Sequence, residues 1–193
     1  GDGIGPEVTD AMVRVLDAAG VRIEWDRVEA GGEVIAKYGT PVPEPVLQSI
    51  RRRGLAMKGP ITTPVGEGFR SANVTLRQNL DLYACLRPVR SIPGLATRFE
   101  GVDLIIVREN TEDLYIGMGG HFKKGTPDEV AIQQMIMTRK GCERAVRYAF
   151  ELTRKRGKRK KLTLIDKVNA IQAMEIWTRT FDEVGQEYPD IER

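Results

Sequence analysis

Ser71, Asn73 and Arg77 have the types and spacing of an anion site. Asn73 and Arg77 are four apart, so a helix puts them on one face. Ser71 precedes them as an N-cap, and its hydroxyl is expected to accept a hydrogen bond from an exposed N–H of the first turn. Arg87 follows the apolar run Leu82-Tyr83-Ala84-Cys85-Leu86, and Arg108 follows a second apolar run over residues 102–107. A hydroxyl, an amide, helix-start N–H groups and guanidinium forks favour anions through the macrodipole and through fixed donors. The chemistry they fit is capture of a small polycarboxylate.

These side chains need elements to aim them. The chain opens GDGIGPEV, glycines followed by Pro6 at a helix start, as in a strand-to-helix turn. The helix is predicted to run to Ala19, with Val8, Met12, Val15 and Leu16 on its apolar side. Residues 21–28 alternate and predict a half-buried strand. A short helix after Gly32, a second over 43–53 and a short strand over 54–58 follow. The loop 59–70 carries Thr62 and several glycines just ahead of Ser71, which suits a ligand-facing segment. After Ser71 the helix leads to a strand over 82–86 and, past a turn region, to another over 102–107. That strand ends in Arg108-Glu109-Asn110-Thr111-Glu112-Asp113-Leu114-Tyr115, and ligands of open α/β sheets gather beyond such strand ends. Residues 117–127 read as loop, and 129–138 as a two-faced strand suited to an arm that pairs with another subunit. A helix over 141–155, a strand over 162–165, the cap Asp166-Lys167-Val168-Asn169 and a helix to Gly185 complete the pattern. Alternating strands and helices predict one α/β layered domain over 1–193 with a substantially parallel sheet.

Composition narrows the class. Of 193 residues, 41% are hydrophobic and 30% charged, as in globular proteins. No apolar run approaches the roughly 20 residues of a membrane helix, so no membrane partner is expected. Cys85 and Cys142 form no CxxC pair, which suits a reducing compartment. The net charge of +3 hides one local tract, residues 154–161, with seven positive charges; elsewhere acidic residues outnumber basic ones by 27 to 23. That tract reads as a helix C-terminus with a Gly157 turn, and no nucleic-acid partner is expected. His121 is the single histidine, so proton transfer is to be sought among Tyr, Lys and carboxylates.

Taken in order, GDGIGPEV, TTPVGEGFRSANVTLR, LRPVR, RENTEDLY, KVN and EYPDI resemble the β-decarboxylating dehydrogenases, the family of isocitrate and 3-isopropylmalate dehydrogenases. The resemblance covers nearly the whole chain and is strongest to the isocitrate branch. It implies a layered α/β/α fold like that of isopropylmalate dehydrogenase, with a partly parallel sheet and a protruding arm. It implies oxidative decarboxylation of isocitrate to 2-oxoglutarate, with hydride transfer to NAD or NADP and help from Mg2+ or Mn2+. By that similarity Ser71 and Asn73 would bind the γ-carboxylate end of isocitrate, and Arg77, Arg87 and Arg108 would grip its other carboxylates. Thr62 would lie near the nicotinamide, and Asn169 beside substrate and cofactor. Tyr115 and Lys167 would be the acid–base pair, with the lysine reaching across a subunit boundary, which implies a homodimer with a shared site. The metal-binding aspartates and most of the adenosine loop are implied beyond Arg193, and a first strand before the opening glycines. The chain thus looks like an internal piece, inactive alone, of a cytoplasmic or mitochondrial enzyme. Ala170-Ile171-Gln172 stands where isocitrate enzymes usually carry Ile-Met-Lys. With Asp166 and Ile176-Trp177 it leans toward the isopropylmalate and tartrate branch. The alternatives are therefore an isopropylmalate, homoisocitrate or tartrate/malate dehydrogenase, or a silent regulatory homologue.

Overall fold

Helix α1 (Gly5–Ala18) starts with Pro6, whose missing N–H costs nothing in a first turn. Its Val8 and Val15, expected on a covered side, are exposed. A short helix α2 (Ile35–Tyr38) follows. Helix α3 (Glu44–Arg53) places Glu44 in its first turn and three arginines in its last, each matched to the macrodipole. Helix α4 (Ala72–Asn79) turns Ala72 and Leu76 inward, one helical repeat apart. These two pack with Val42, Val46 and Leu47 into the core of a first compact unit, Gly1–Asp81. The computed structural model describes residues 1–62 and 71–193; the glycine loop expected over 59–70 therefore lies mostly outside the described residues.

The second unit, Leu82–Arg193, holds strands β1 (Ala84–Arg90), β2 (Asp103–Glu109), β3 (Gly119–Phe122) and β4 (Val130–Gln133). Its long helices are α5 (Arg139–Arg156) and α6 (Glu175–Gly185). Cys142, Ala145, Val146, Ala149 and Phe150 recur at helical spacing on the buried side of α5. Phe150 is fully buried and stacks on Phe181 and Tyr188, with ring centroids 5.3 and 4.8 Å apart. Burial pushes the Cys142 thiol up to about 11, with Glu112 and Glu109 adding to the effect, so this cysteine is an inert core residue. Five of the basic tract's seven charges make ion pairs: Arg156 and Lys158 meet Asp103, Arg154 and Lys160 meet Asp190, and Lys161 meets Glu192. Among the described residues no helix is long and apolar enough to cross a membrane.

The partly parallel sheet is a correction. The named strands form two antiparallel pairs: β1 with β2, from Ala84 opposite Glu109 to Arg90 opposite Asp103, and β3 with β4. Parallel neighbours need a crossover, usually a helix, whereas antiparallel ones need only a returning loop. Turns without a helix return the chain from Arg90 to Asp103. Parallel pairing is confined, among the described residues, to an isolated bridge between Lys161 and Glu192.

The strands expected over 21–28, 54–58 and 162–165 are not formed. Alternation marks a face, but a strand also needs a second backbone to take its hydrogen bonds. The segment 21–28 is tied instead by side chains, with Asp26 accepting from Ser49 at 2.6 Å and from Arg52 at 3.2 Å. Strand β3 lies inside the expected loop 117–127. Gly119 hides it: at φ 154° its backbone runs so close to Ile132 that a Cβ would overlap that carbonyl. The expected strand over 129–138 shortens to β4, and every residue of the β3–β4 ribbon is exposed.

Candidate active site

Within the first unit, Asp2 organises the glycine segments. It is 5% exposed, and its carboxylate accepts from the Thr62 N–H at 2.6 Å and the Gly32 N–H at 2.7 Å. The Asp2 N–H in turn donates to Pro60 O. Thr62, expected near the nicotinamide, is thus held through its backbone by a residue that sequence reasoning had passed over. The hydrogen bond from Thr62 is the main reason the Asp2 carboxyl lies below the usual carboxylate range. A lowered carboxylate stabilises the fold above its unfolded pKa of about 4, and that stability is lost as the pH falls through the folded value. Asp2→Asn strands one of the two N–H donors at this partly buried site, so it should cost about 1 kcal/mol near neutral pH. The gap to the parent should close in acid; melting temperatures of both proteins against pH check this.

Ser71 occupies the N-cap of α4, but its side chain makes no capping hydrogen bond. This corrects the expected capping role. Asn73 and Arg77 are both half-buried on a face beside the inward Ala72–Leu76 row. Lys58 joins them. Its ammonium donates to Gly59 O at 2.6 Å, and burial and then the neighbouring Arg77 guanidinium lower its pKa. Sequence reasoning gave Lys58 to a strand end; its place just ahead of Gly59, Pro60 and Thr62 was the available signal.

Within the second unit, the ladder register aligns the other two arginines. Arg108 lies opposite Cys85, and Arg87 opposite Ile106. Directly opposed residues share a face, as do residues two apart. Arg87 and Arg108 therefore emerge on one face as diagonal neighbours. Both are inside strands rather than just after them, because β1 continues through Pro88 and β2 runs to Glu109. Pro88 is tolerated because a two-stranded ladder is all edge.

Beyond β2 the chain folds back so that Arg108 stands over the Tyr115 ring, with the guanidinium 5.1 Å from its centroid. A hydrogen bond to Tyr115 is the main reason the Arg108 pKa is raised. The intervening loop is braced by its own acids. Glu109 accepts from the Thr111 N–H, the Thr111 hydroxyl and the Glu112 N–H. Arg144 of α5 donates to Thr111 Oγ1 at 2.9 Å. Asn110 is buried, and its Oδ1 has no hydrogen-bond partner among the described residues.

Lys167 and Asn169 sit together on an exposed turn ahead of α6. The turn is fixed by Ala170 and Ile171 N–H groups donating to Lys167 O, and by Thr178 donating to Asp166 at 2.6 Å. The Lys167 ammonium has no ion-pair or hydrogen-bond partner among the described residues. Neither do the described residues bring together three or more His, Cys, Asp or Glu side chains placed to hold a metal ion.

The whole span, residues 1–193, matches the family model described as isocitrate/isopropylmalate dehydrogenase. The chain belongs to the isocitrate/isopropylmalate dehydrogenase family. It is 45% identical to an NADP isocitrate dehydrogenase of Thermus thermophilus over 100% of this chain and 38% of that protein. It is 41% identical to mitochondrial NAD isocitrate dehydrogenase catalytic subunit 6 of Arabidopsis thaliana, over 99% of this chain and 50% of that protein. A chloroplastic 3-isopropylmalate dehydrogenase of Solanum tuberosum is 38% identical over 99% of this chain and 52% of the relative. The crystal structure of isocitrate dehydrogenase from Methylococcus capsulatus superposes with a TM-score of 0.92 at 48% identity, covering 100% of this chain and 57% of that one. The chain thus spans about half the length of most of these relatives.

Proposed function

We propose that this chain supplies the substrate-binding portion, and part of the cofactor-binding portion, of an enzyme that oxidatively decarboxylates isocitrate to 2-oxoglutarate. The observation that carries the reading is the Arg108–Tyr115 contact on the same ladder face as Arg87. It pairs fixed positive charge with a phenol that can give up a proton. The Ser71-x-Asn73 pair favours isocitrate over 3-isopropylmalate, because a hydroxyl and an amide suit a carboxylate better than an isopropyl group. The isocitrate relatives above are also the more similar ones.

In this reading Arg77, Arg87 and Arg108 orient the substrate carboxylates by paired, charge-assisted bonds. Ser71 and Asn73, with Lys58 nearby, receive the γ-carboxylate. Lys167, in its neutral amine form, takes the proton of the C2 hydroxyl; its place on an exposed turn suits delivery to the site of a second copy. Bound NAD or NADP, beside Thr62 and Asn169, supplies the hydride acceptor. After CO2 leaves, Tyr115 returns a proton to the substrate carbon, and Arg108 stabilises the phenolate left behind. A divalent ion, Mg2+ or Mn2+, would polarise the carbonyl formed at C2; among the described residues no cluster of His, Cys, Asp or Glu is placed to hold it. The exposed β3–β4 ribbon, with Phe122, Val130 and Ile132 uncovered, serves as the arm of a homodimer.

Steady-state kinetics of the full-length protein test the substrate. With both nucleotides tried, kcat/KM for isocitrate should exceed that for 3-isopropylmalate, tartrate and malate by about a hundredfold or more. A preference for 3-isopropylmalate would move the assignment to that branch of the family.

A further inference from the structure

Helix α5 begins Thr138-Arg139-Lys140-Gly141. In a capping box the N-cap Thr bonds the N–H three residues on, and a Glu or Gln at that third position reaches back to the N-cap N–H. Here the third position is Gly141, which has no side chain to reach with. Thr138 makes its half: its Oγ1 accepts from the Gly141 N–H at 3.0 Å. The other half comes from Glu112, on the loop between Arg108 and Tyr115. The Thr138 N–H donates to Glu112 Oε2 at 2.8 Å, and the Thr138 hydroxyl donates to Oε1 at 2.5 Å. The two residues fit as a pair, because a Cβ at Gly141 would overlap the Glu112 carboxylate. The positive end of an 18-residue helix adds its attraction.

We propose that Glu112 is a positioning residue for Tyr115, acting through this capping box built from two elements. Glu112 precedes Tyr115 by three residues, and between them Asp113 takes a left-handed φ of 67°, rare outside glycine. That turn is held from two sides. The Asp113 N–H donates to Ile136 O at 2.9 Å, and Glu112 is clamped to the start of α5. Release of the carboxylate loosens the turn that keeps the Tyr115 phenol against Arg108, because the Asp113–Ile136 hydrogen bond then holds it from one side only. Arg108 itself stays anchored in the β1–β2 ladder. The consequence is specific: proton delivery suffers while substrate capture does not. This inference rests on the reading of Tyr115 as the proton donor.

The test is Gly141→Ala in the full-length protein. The substitution favours helix, so a purely structural role for Gly141 predicts no loss of activity. Its methyl requires the Glu112 carboxylate to shift from its place at the start of α5, so positioning predicts that kcat with isocitrate falls by about tenfold or more. The isocitrate dissociation constant should change by less than about threefold. Glu112→Gln keeps an acceptor for the Thr138 N–H and should lose less turnover than Gly141→Ala. Thr138→Val removes the hydroxyl partner without adding bulk at Gly141, and it should also lower kcat should Gly141→Ala fail to fold. Parental kcat in these variants overturns the proposal, as does a loss of turnover matched by an equal loss of substrate affinity. Tyr115→Phe run in parallel separates the two claims. If it is slow while Gly141→Ala turns over at the parental rate, only the positioning role fails; if it too is parental, the reading of the site fails.

Discussion

Replacing Tyr115 with Phe in the full-length protein is expected to lower kcat by about a hundredfold, the usual worth of one positioned acid. Isocitrate affinity should hardly move. Phe keeps the ring on which the Arg108 guanidinium rests, so the local packing survives. Only the hydroxyl is lost, and with it the proton that the substrate carbon must receive after CO2 departs. Pre-steady-state kinetics should show the delay in the late proton step rather than in hydride transfer. Turnover equal to the parent would remove Tyr115 from the chemistry.

Arg108→Ala should act on capture as well as on rate. Removing the guanidinium leaves a substrate carboxylate facing a site without its partner, which typically costs about 3 kcal/mol, or roughly a hundredfold in Kd. It also frees the Tyr115 phenol from its charge partner, so kcat should fall with affinity. Arg108→Lys should recover little, because a single ammonium cannot reproduce a planar fork that serves both a carboxylate and a ring. Titration calorimetry with isocitrate reads the affinity directly, and a Kd equal to the parent would contradict the assignment.

How much of this was legible in the residues depended on how local the cause was. Helices α3, α5 and α6 were readable because their signals are local: apolar repeats in each, an acid in the first turn of α3 and α6, and bases in the last turn of α3 and α5. The arginines and Tyr115 were singled out by motif order. The alignment of Arg87 and Arg108 on one ladder face was not, since it follows from the Cys85–Arg108 register, a long-range fact. The sheet direction was misread because alternating elements imitate a βαβ pattern when a helix-free return between two strands goes unnoticed. Asp2 and Glu112 were missed for a common reason. Each is an acid whose partners lie far along the chain, Thr62 for one and Thr138 for the other. Nothing in their neighbourhoods distinguishes them from surface carboxylates. Gly141 carried a faint signal: a Thr N-cap whose third position lacks the expected acid points to one supplied from elsewhere.

The central proposal is that Ser71, Asn73, Arg77, Arg87 and Arg108 bind the carboxylates of one small substrate and that Tyr115 gives it a proton. A crystal structure of the full-length protein with isocitrate bound tests it most directly. The expected result is every substrate carboxylate within hydrogen-bond distance of Ser71, Asn73, Arg77, Arg87 or Arg108, with the Tyr115 phenol facing the carbon that loses CO2. Isocitrate seated against other residues, with Arg87 and Arg108 turned to solvent, would contradict it.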